Sequence, residues 1–170
     1  MPDTNASLHG WNSIPTGPLA AGPLIGQVTP DGARIWVQAR DTQPLTVSVY
    51  ARDAGAAAAP LFTDQQQPDE DAWLCCVFDV HDLDPGREYA YAFSSPHGQT
   101  DRVPLRLGLQ ADATRLRIAF GSCYKDYANR DLRIFDAIVR AAPDLFLMLG
   151  DTCYSDEDDR KSEATFMQAH

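Results

Sequence analysis

The chain has 170 residues, 44% hydrophobic and 22% charged, with a formal net charge of −10 at pH 7. This is the composition of a soluble globular protein rather than a disordered one, and its longest apolar run, Leu145 to Leu149, is far short of the roughly 20 residues a membrane-crossing helix needs. The acidic balance offers no basic face from which a nucleic-acid backbone would release counterions, so nucleic-acid binding is not expected; phosphate chemistry stays open where metal ions supply positive charge locally.

Residues 1–21, with Pro2, Pro15, Gly17 and Pro18 among polar neighbours, read as an irregular lead-in. Met1-Pro-Asp-Thr-Asn-Ala-Ser7 has neither the basic nor the apolar region of a signal peptide. From Gly22 to Thr29 and from Ala33 to Ala39 the pattern becomes that of a β-hairpin. Ile35, Val37 and Ala39 alternate with Arg34, Trp36 and Gln38, and Pro30-Asp31-Gly32 supplies the turn. Leu45–Tyr50, Trp73–Val80 and Glu88–Phe93 read as further strands, the last two separated by Asp82-Leu-Asp-Pro-Gly-Arg87. Ala51–Glu70, rich in Ala, Gln, Pro and Asp, reads as a long loop or ragged edge. Arg102–Ala113 reads as a last strand and a linker. Residues 22–112 are therefore expected to form an all-β sandwich. Cys75, Cys76, Cys123 and Cys153 form no disulfide or zinc framework, since adjacent Cys75 and Cys76 on a strand face opposite ways. His9, His81 and His97 are expected as surface or turn residues.

Beyond residue 113 the pattern changes. Leu116, Ile118 and Phe120 lie on one side of a strand, with Ala119 and Gly121 leaving room on the other for a helix. Asp131–Ala142 carries an apolar stripe of Ile134, Phe135, Ile138 and Val139, and Pro143 stops it. Asp144–Gly150 is almost purely apolar, as in a parallel strand covered on both faces. A right-handed crossover makes the two strands parallel, so Cys123 and Asp151 project from the same carboxyl-terminal edge, with Tyr154 within reach on the same loop. Thiolate, carboxylate and phenolate together favour iron over magnesium. The competing readings are a small buried Cys123, Asp151 as a helix N-cap and Tyr154 as a loop aromatic. Asp156–Asp159 lacks the glycine of a calcium-binding loop and suits the first turn of a helix. Gly121-Ser-Cys lacks the glycine spacing of dinucleotide and P-loop motifs.

Gly121-Ser-Cys123 after one strand, Gly150-Asp-x-x-Tyr154 after the next, and a β module carrying Gly22-Pro-Leu-Ile-Gly-x-Val-Thr29 and Ile35-Trp-Val37 resemble the alkaline phosphatase D (PhoD-like) metallophosphatases. Leu83-Asp-Pro-Gly-Arg-Glu-Tyr-Ala-Tyr91 likewise resembles the turn and tyrosine-bearing strand of fibronectin type III domains. The resemblance implies a fibronectin type III-like or Ig-like sandwich (22–112), followed by the first βαβ unit of an α/β calcineurin-like metallophosphatase domain, incomplete over 113–170. It implies hydrolysis of phosphate mono- and diesters with iron and calcium: Cys123 as an iron ligand, Asp151 as the carboxylate bridging iron and calcium, and Tyr154 as a phenolate ligand. Family members are often exported. Ile118 stands where family members place an Asp, and the later Asn, Asp and His motifs do not occur; past Asp151 the only histidine is His170. The expectation is an N-terminal part without turnover of its own, whose α/β segment is mobile, leans on the sandwich or self-associates. The rival reading is a non-enzymatic binding or adhesion protein with a structural α/β remnant.

Overall fold

The computed structural model describes residues 17–109, 112–123 and 133–151. The chain divides into two compact units, Met1–Ala111 and Asp112–His170.

The first unit is built from two antiparallel sheets. One has the order β1-β2-β5, from Leu19–Thr29, Gly32–Ala39 and Cys75–Val80. The other has the order β4-β3-β6-β7, from Phe62–Gln66, Leu45–Ala51, Tyr89–Ser95 and Gly98–Gln99, and β8 (Val103–Leu105) also pairs with β6. Period-two alternation decides which side chains meet. Ile35, Val37, Phe78 and Val80 of the first sheet and Val47, Val49, Tyr91 and Phe93 of the second share one buried cluster. Across it the Phe78 and Phe93 rings lie 5.4 Å apart. Cys76 is buried in this core, while Cys75 points to the other side of the strand and both are free. The hairpin turn needs its glycine: a Cβ at Gly32 would lie 2.4 Å from the Val80 carbonyl oxygen. At the same end, where Leu83 N–H donates to the Asp31 carbonyl (3.0 Å), the Tyr89 hydroxyl accepts from Asp84 N–H (2.8 Å) and donates to the Asp84 carbonyl (3.2 Å).

Two segments differ from the sequence expectation. β1 begins at Leu19, inside the expected lead-in, because Leu19 is buried and pairs with Ala39. β4 lies inside the expected loop. Thr63-Asp64-Gln65-Gln66 has no apolar alternation to announce a strand, yet it pairs along β3, and the Gln65 and Gln66 amides donate to Thr46 Oγ1 (3.0 Å) and the Val77 carbonyl (2.8 Å). A short polar strand suits a sheet edge, where exposed backbone would otherwise invite pairing with another chain.

The second unit contains β9 (Ile118–Gly121), α1 (Arg133–Ala141) and β10 (Leu145–Met148), with β10 parallel to β9 in the register Leu145↔Ile118 to Met148↔Gly121. α1 ends where Ala142 turns left-handed (φ 46°) before Pro143. Arg117 ties the base of the unit together: its guanidinium donates to the Ala141 carbonyl (2.6 Å) and its backbone N–H to Asp144 Oδ2 (2.8 Å). Phe135 and Ile138 of the expected stripe are half-buried, but Ile134 and Val139 are exposed. Among the described residues β10 is not covered on both faces: Leu145 and Leu147 are exposed, whereas Phe146, paired with Ala119 on the other face, is half-buried. No described residue of this unit is fully buried.

Candidate metal centre

The parallel ladder runs past the ends of β9 and β10. Leu149 N–H donates to the Gly121 carbonyl (2.8 Å) and Cys123 N–H to the Gly150 carbonyl (3.3 Å), which fixes the two strand tips side by side. Gly150 makes the turn at φ 109°, a region open to glycine, and Asp151 and Cys123 follow at φ 48° and 59°. The Cys123 thiol consequently donates to Asp151 Oδ2 over 3.3 Å, although the residues are 28 apart in sequence. The Ser122 hydroxyl lies 3.4 Å from the same sulfur. Both tips are exposed, so Cys123 is not a small buried residue, and the φ of Asp151 is not the extended backbone of an N-cap.

A sulfur about 2.3 Å and an oxygen about 2.1 Å from one first-row divalent ion stand about 3.1–3.6 Å apart for bond angles from a right angle to tetrahedral. The observed 3.3 Å falls in that interval, so this soft and hard donor pair fits a shared metal ion without rearrangement. The described residues bring no third donor to it: none of them forms a group of three or more His, Cys, Asp or Glu side chains able to hold a metal. Tyr154, the third expected ligand, lies outside the described residues, as do Asp156–Asp159 and His170. Ile118 lies on β9 with an exposed side chain. His81 and His97 belong to the first unit, where they pair with Asp82 (2.8 Å) and Asp41 (2.7 Å). Sequence reasoning missed Ser122 as a neighbour of the sulfur and the left-handed backbone of both donors; Gly150 was the signal of unusual backbone.

No protein-family model and no curated protein matches the chain. Among solved structures the chain is similar to one described as "Structure of PhoD", with a TM-score of 0.68 and 17% sequence identity over 84% of this chain. The match covers 29% of that protein's length, so the chain has the fold of part of PhoD, its N-terminal part.

Proposed function

We propose that this chain is the N-terminal part of a PhoD-like phosphatase or phosphodiesterase acting on phosphate mono- and diesters, and that it carries one half of a two-metal site. The observation that carries the reading is the 3.3 Å approach of Cys123 Sγ to Asp151 Oδ2 at neighbouring tips of parallel strands. The carboxyl edge of a parallel sheet is where open α/β folds bind ligands. The likeness to PhoD supports the same assignment, and the Tyr89–Asp84 corner with the β1-β2-β5 sheet supports a fibronectin type III-like sandwich in front.

In this reading Cys123 would hold iron through its thiolate, Asp151 would be the carboxylate shared by iron and calcium, and Tyr154, outside the described residues, would add a phenolate. When bound, the metals supply the positive charge that an acidic protein lacks for handling a phosphate ester. The chain's own residues fix donor positions. The Gly121–Leu149 and Cys123–Gly150 backbone bonds hold sulfur and carboxylate together, and Ser122 offers a hydroxyl to the sulfur once its proton is gone.

Titration with ferric iron, followed by ligand-to-metal charge-transfer absorption, tests the assignment. The expected result is a wild-type absorption whose thiolate component is lost in Cys123→Ser, leaving the phenolate component, and which is weakened in Asp151→Asn. Identical spectra for all three proteins would overturn it. The chain alone is expected to show no turnover of p-nitrophenyl phosphate with iron and calcium; turnover abolished by Asp151→Ala would contradict the half-site.

A further inference from the structure

Ser122 stands between the two backbone bonds that join the strand tips. The Gly121 carbonyl before it accepts from Leu149 N–H (2.8 Å), and the Cys123 N–H after it donates to the Gly150 carbonyl (3.3 Å), so the backbone on both sides of Ser122 is held to the neighbouring tip. That fixes where the Ser122 hydroxyl can reach, and it reaches the Cys123 sulfur at 3.4 Å. A thiol has a single proton, and the Asp151 carboxylate at 3.3 Å, a charged acceptor, takes it. The contact with Ser122 is left for the hydroxyl to donate to a sulfur lone pair. A metal ion shared by Cys123 and Asp151 replaces the thiol proton, and the donation from Ser122 then strengthens, because its acceptor has become an anion. Asp151 as a carboxylate can only accept, so among the described residues Ser122 is the side-chain donor to this sulfur.

We propose that Ser122 is a positioning residue for the metal-bound thiolate, one that limits how strongly the sulfur donates electrons and so biases the oxidation state of iron held there. The inference rests on the phosphatase reading and deepens it. Hydrogen bonds to a ligating sulfur draw electron density away from the metal and raise its reduction potential. Ser122 thus favours ferrous over ferric iron, relative to the same donor pair without the hydroxyl. It also lowers the energy of the sulfur electrons from which thiolate charge-transfer absorption arises, which moves that absorption to shorter wavelength.

The test compares the ferric-loaded 170-residue chain with its Ser122→Ala and Ser122→Thr variants, the Cys123→Ser spectrum being subtracted to isolate the thiolate component. Ser122→Ala is expected to move that component to longer wavelength. In a spectroelectrochemical titration it should raise the ferric-to-ferrous ratio at a fixed ambient potential about three- to ten-fold. Ser122→Thr keeps the hydroxyl and is expected to restore both readings. Exchange of the Leu149 amide should be the same in all three proteins, because the bonds on either side of residue 122 are backbone bonds. A thiolate component and a ratio unchanged in Ser122→Ala overturn the role of Ser122 and leave the half-site standing. So do changes that Thr does not restore, or that come with faster Leu149 exchange, since those mark a displaced backbone rather than a lost donor. A wild type with no thiolate component overturns the phosphatase reading itself, and the role of Ser122 with it.

Discussion

Cys123 and Asp151 hold the same left-handed backbone conformation, φ 59° and 48°, on neighbouring strand tips. Neither is glycine, and a left-handed residue with a Cβ costs about 1–2 kcal/mol, less for Asp, whose short side chain tolerates the region. The strain falls on the two residues whose side chains meet, and the backbone bonds from Leu149 to Gly121 and from Cys123 to Gly150 hold it in place. Strain concentrated at a pair of chemically active side chains is a pattern of functional sites.

Relief of that strain is measurable. Cys123→Gly removes about 1–2 kcal/mol of left-handed penalty and adds about 0.5–1 kcal/mol of unfolded-chain entropy. The net expectation is a stabilisation of about 0.5–1 kcal/mol, read as a two- to five-fold slower exchange of the Leu149 amide under conditions where exchange reports local opening. Asp151→Gly is expected to be near neutral. Cys123→Val, which adds β-branching at the same φ, should accelerate that exchange. Equal protection in the Gly and Val variants would show that the backbone at 123 is not strained.

In the first unit the Arg102 guanidinium lies 3.6 Å over the Tyr50 ring and donates to the carbonyls of Ala54 (3.2 Å), Gly55 (3.0 Å) and Ala56 (3.1 Å). The stack explains why Tyr50 is buried although it faces away from the core, and the three carbonyl bonds fasten the loop after β3 to the sheet. Arg102→Ala is expected to cost about 2 kcal/mol in urea unfolding, with an unchanged dependence on denaturant. Arg102→Lys should recover less than half of that, because an ammonium cannot both stack flat and reach three carbonyls. Full recovery by Lys would reduce the contact to simple charge.

The strands that were legible in the sequence are those whose burial or side-chain size follows period two. In Ile35-Trp36-Val37 burial alternates because one face meets the other sheet, and in β6 it is side-chain size that alternates, Tyr89, Tyr91 and Phe93 entering the core cluster while Ala90 and Ala92 are buried on the other face. β4 was hidden because an edge strand with one packed residue, Phe62, has little burial to encode. The Arg102–Tyr50 stack was hidden for another reason: it joins residues far apart through the register of β3, β6 and β8, and Ala90 and Ala92, small residues on the same face, leave room for it. The nearness of Cys123 and Asp151 followed from parallel topology alone. Their backbone conformation did not, because only Gly150 hints at it in the sequence.

The three free thiols among the described residues are expected to react in a fixed order. Cys123 is exposed, Cys75 half-buried and Cys76 buried. Burial pushes the Cys76 thiol above its ordinary value, and the neighbouring Cys75 adds to the effect. Since the thiolate is the nucleophile, Cys76 loses on both access and ionisation. Iodoacetamide labelling followed by peptide mass spectrometry should find Cys123 first, then Cys75, with Cys76 at least about 100-fold slower than Cys123. Early labelling of Cys76 in the folded protein would mean that the β2–β5 pairing opens more readily than a buried core strand should.

Alkaline pH should weaken the sandwich through Tyr91. This side chain is 3% exposed, its ring edge-to-face with Phe93 at 5.9 Å, and burial pushes its phenol up to about 12 from an ordinary value of 10.0. The unfolded chain therefore gives up this proton before the folded chain does. Tyr91 thus contributes a stability that is complete below about pH 10 and falls as pH rises toward 12, by up to about 1.4 kcal/mol per unit and about 2–3 kcal/mol in all. Cys76, raised in the same direction, begins a similar loss at lower pH, so Cys76→Ala is the suitable background. Urea unfolding at pH 9, 10 and 11 should show the decline in that background and a much flatter line once Tyr91→Phe is added. Parallel lines would mean that the phenol reaches solvent in the folded state and that its burial does not govern the alkaline limit of the sandwich.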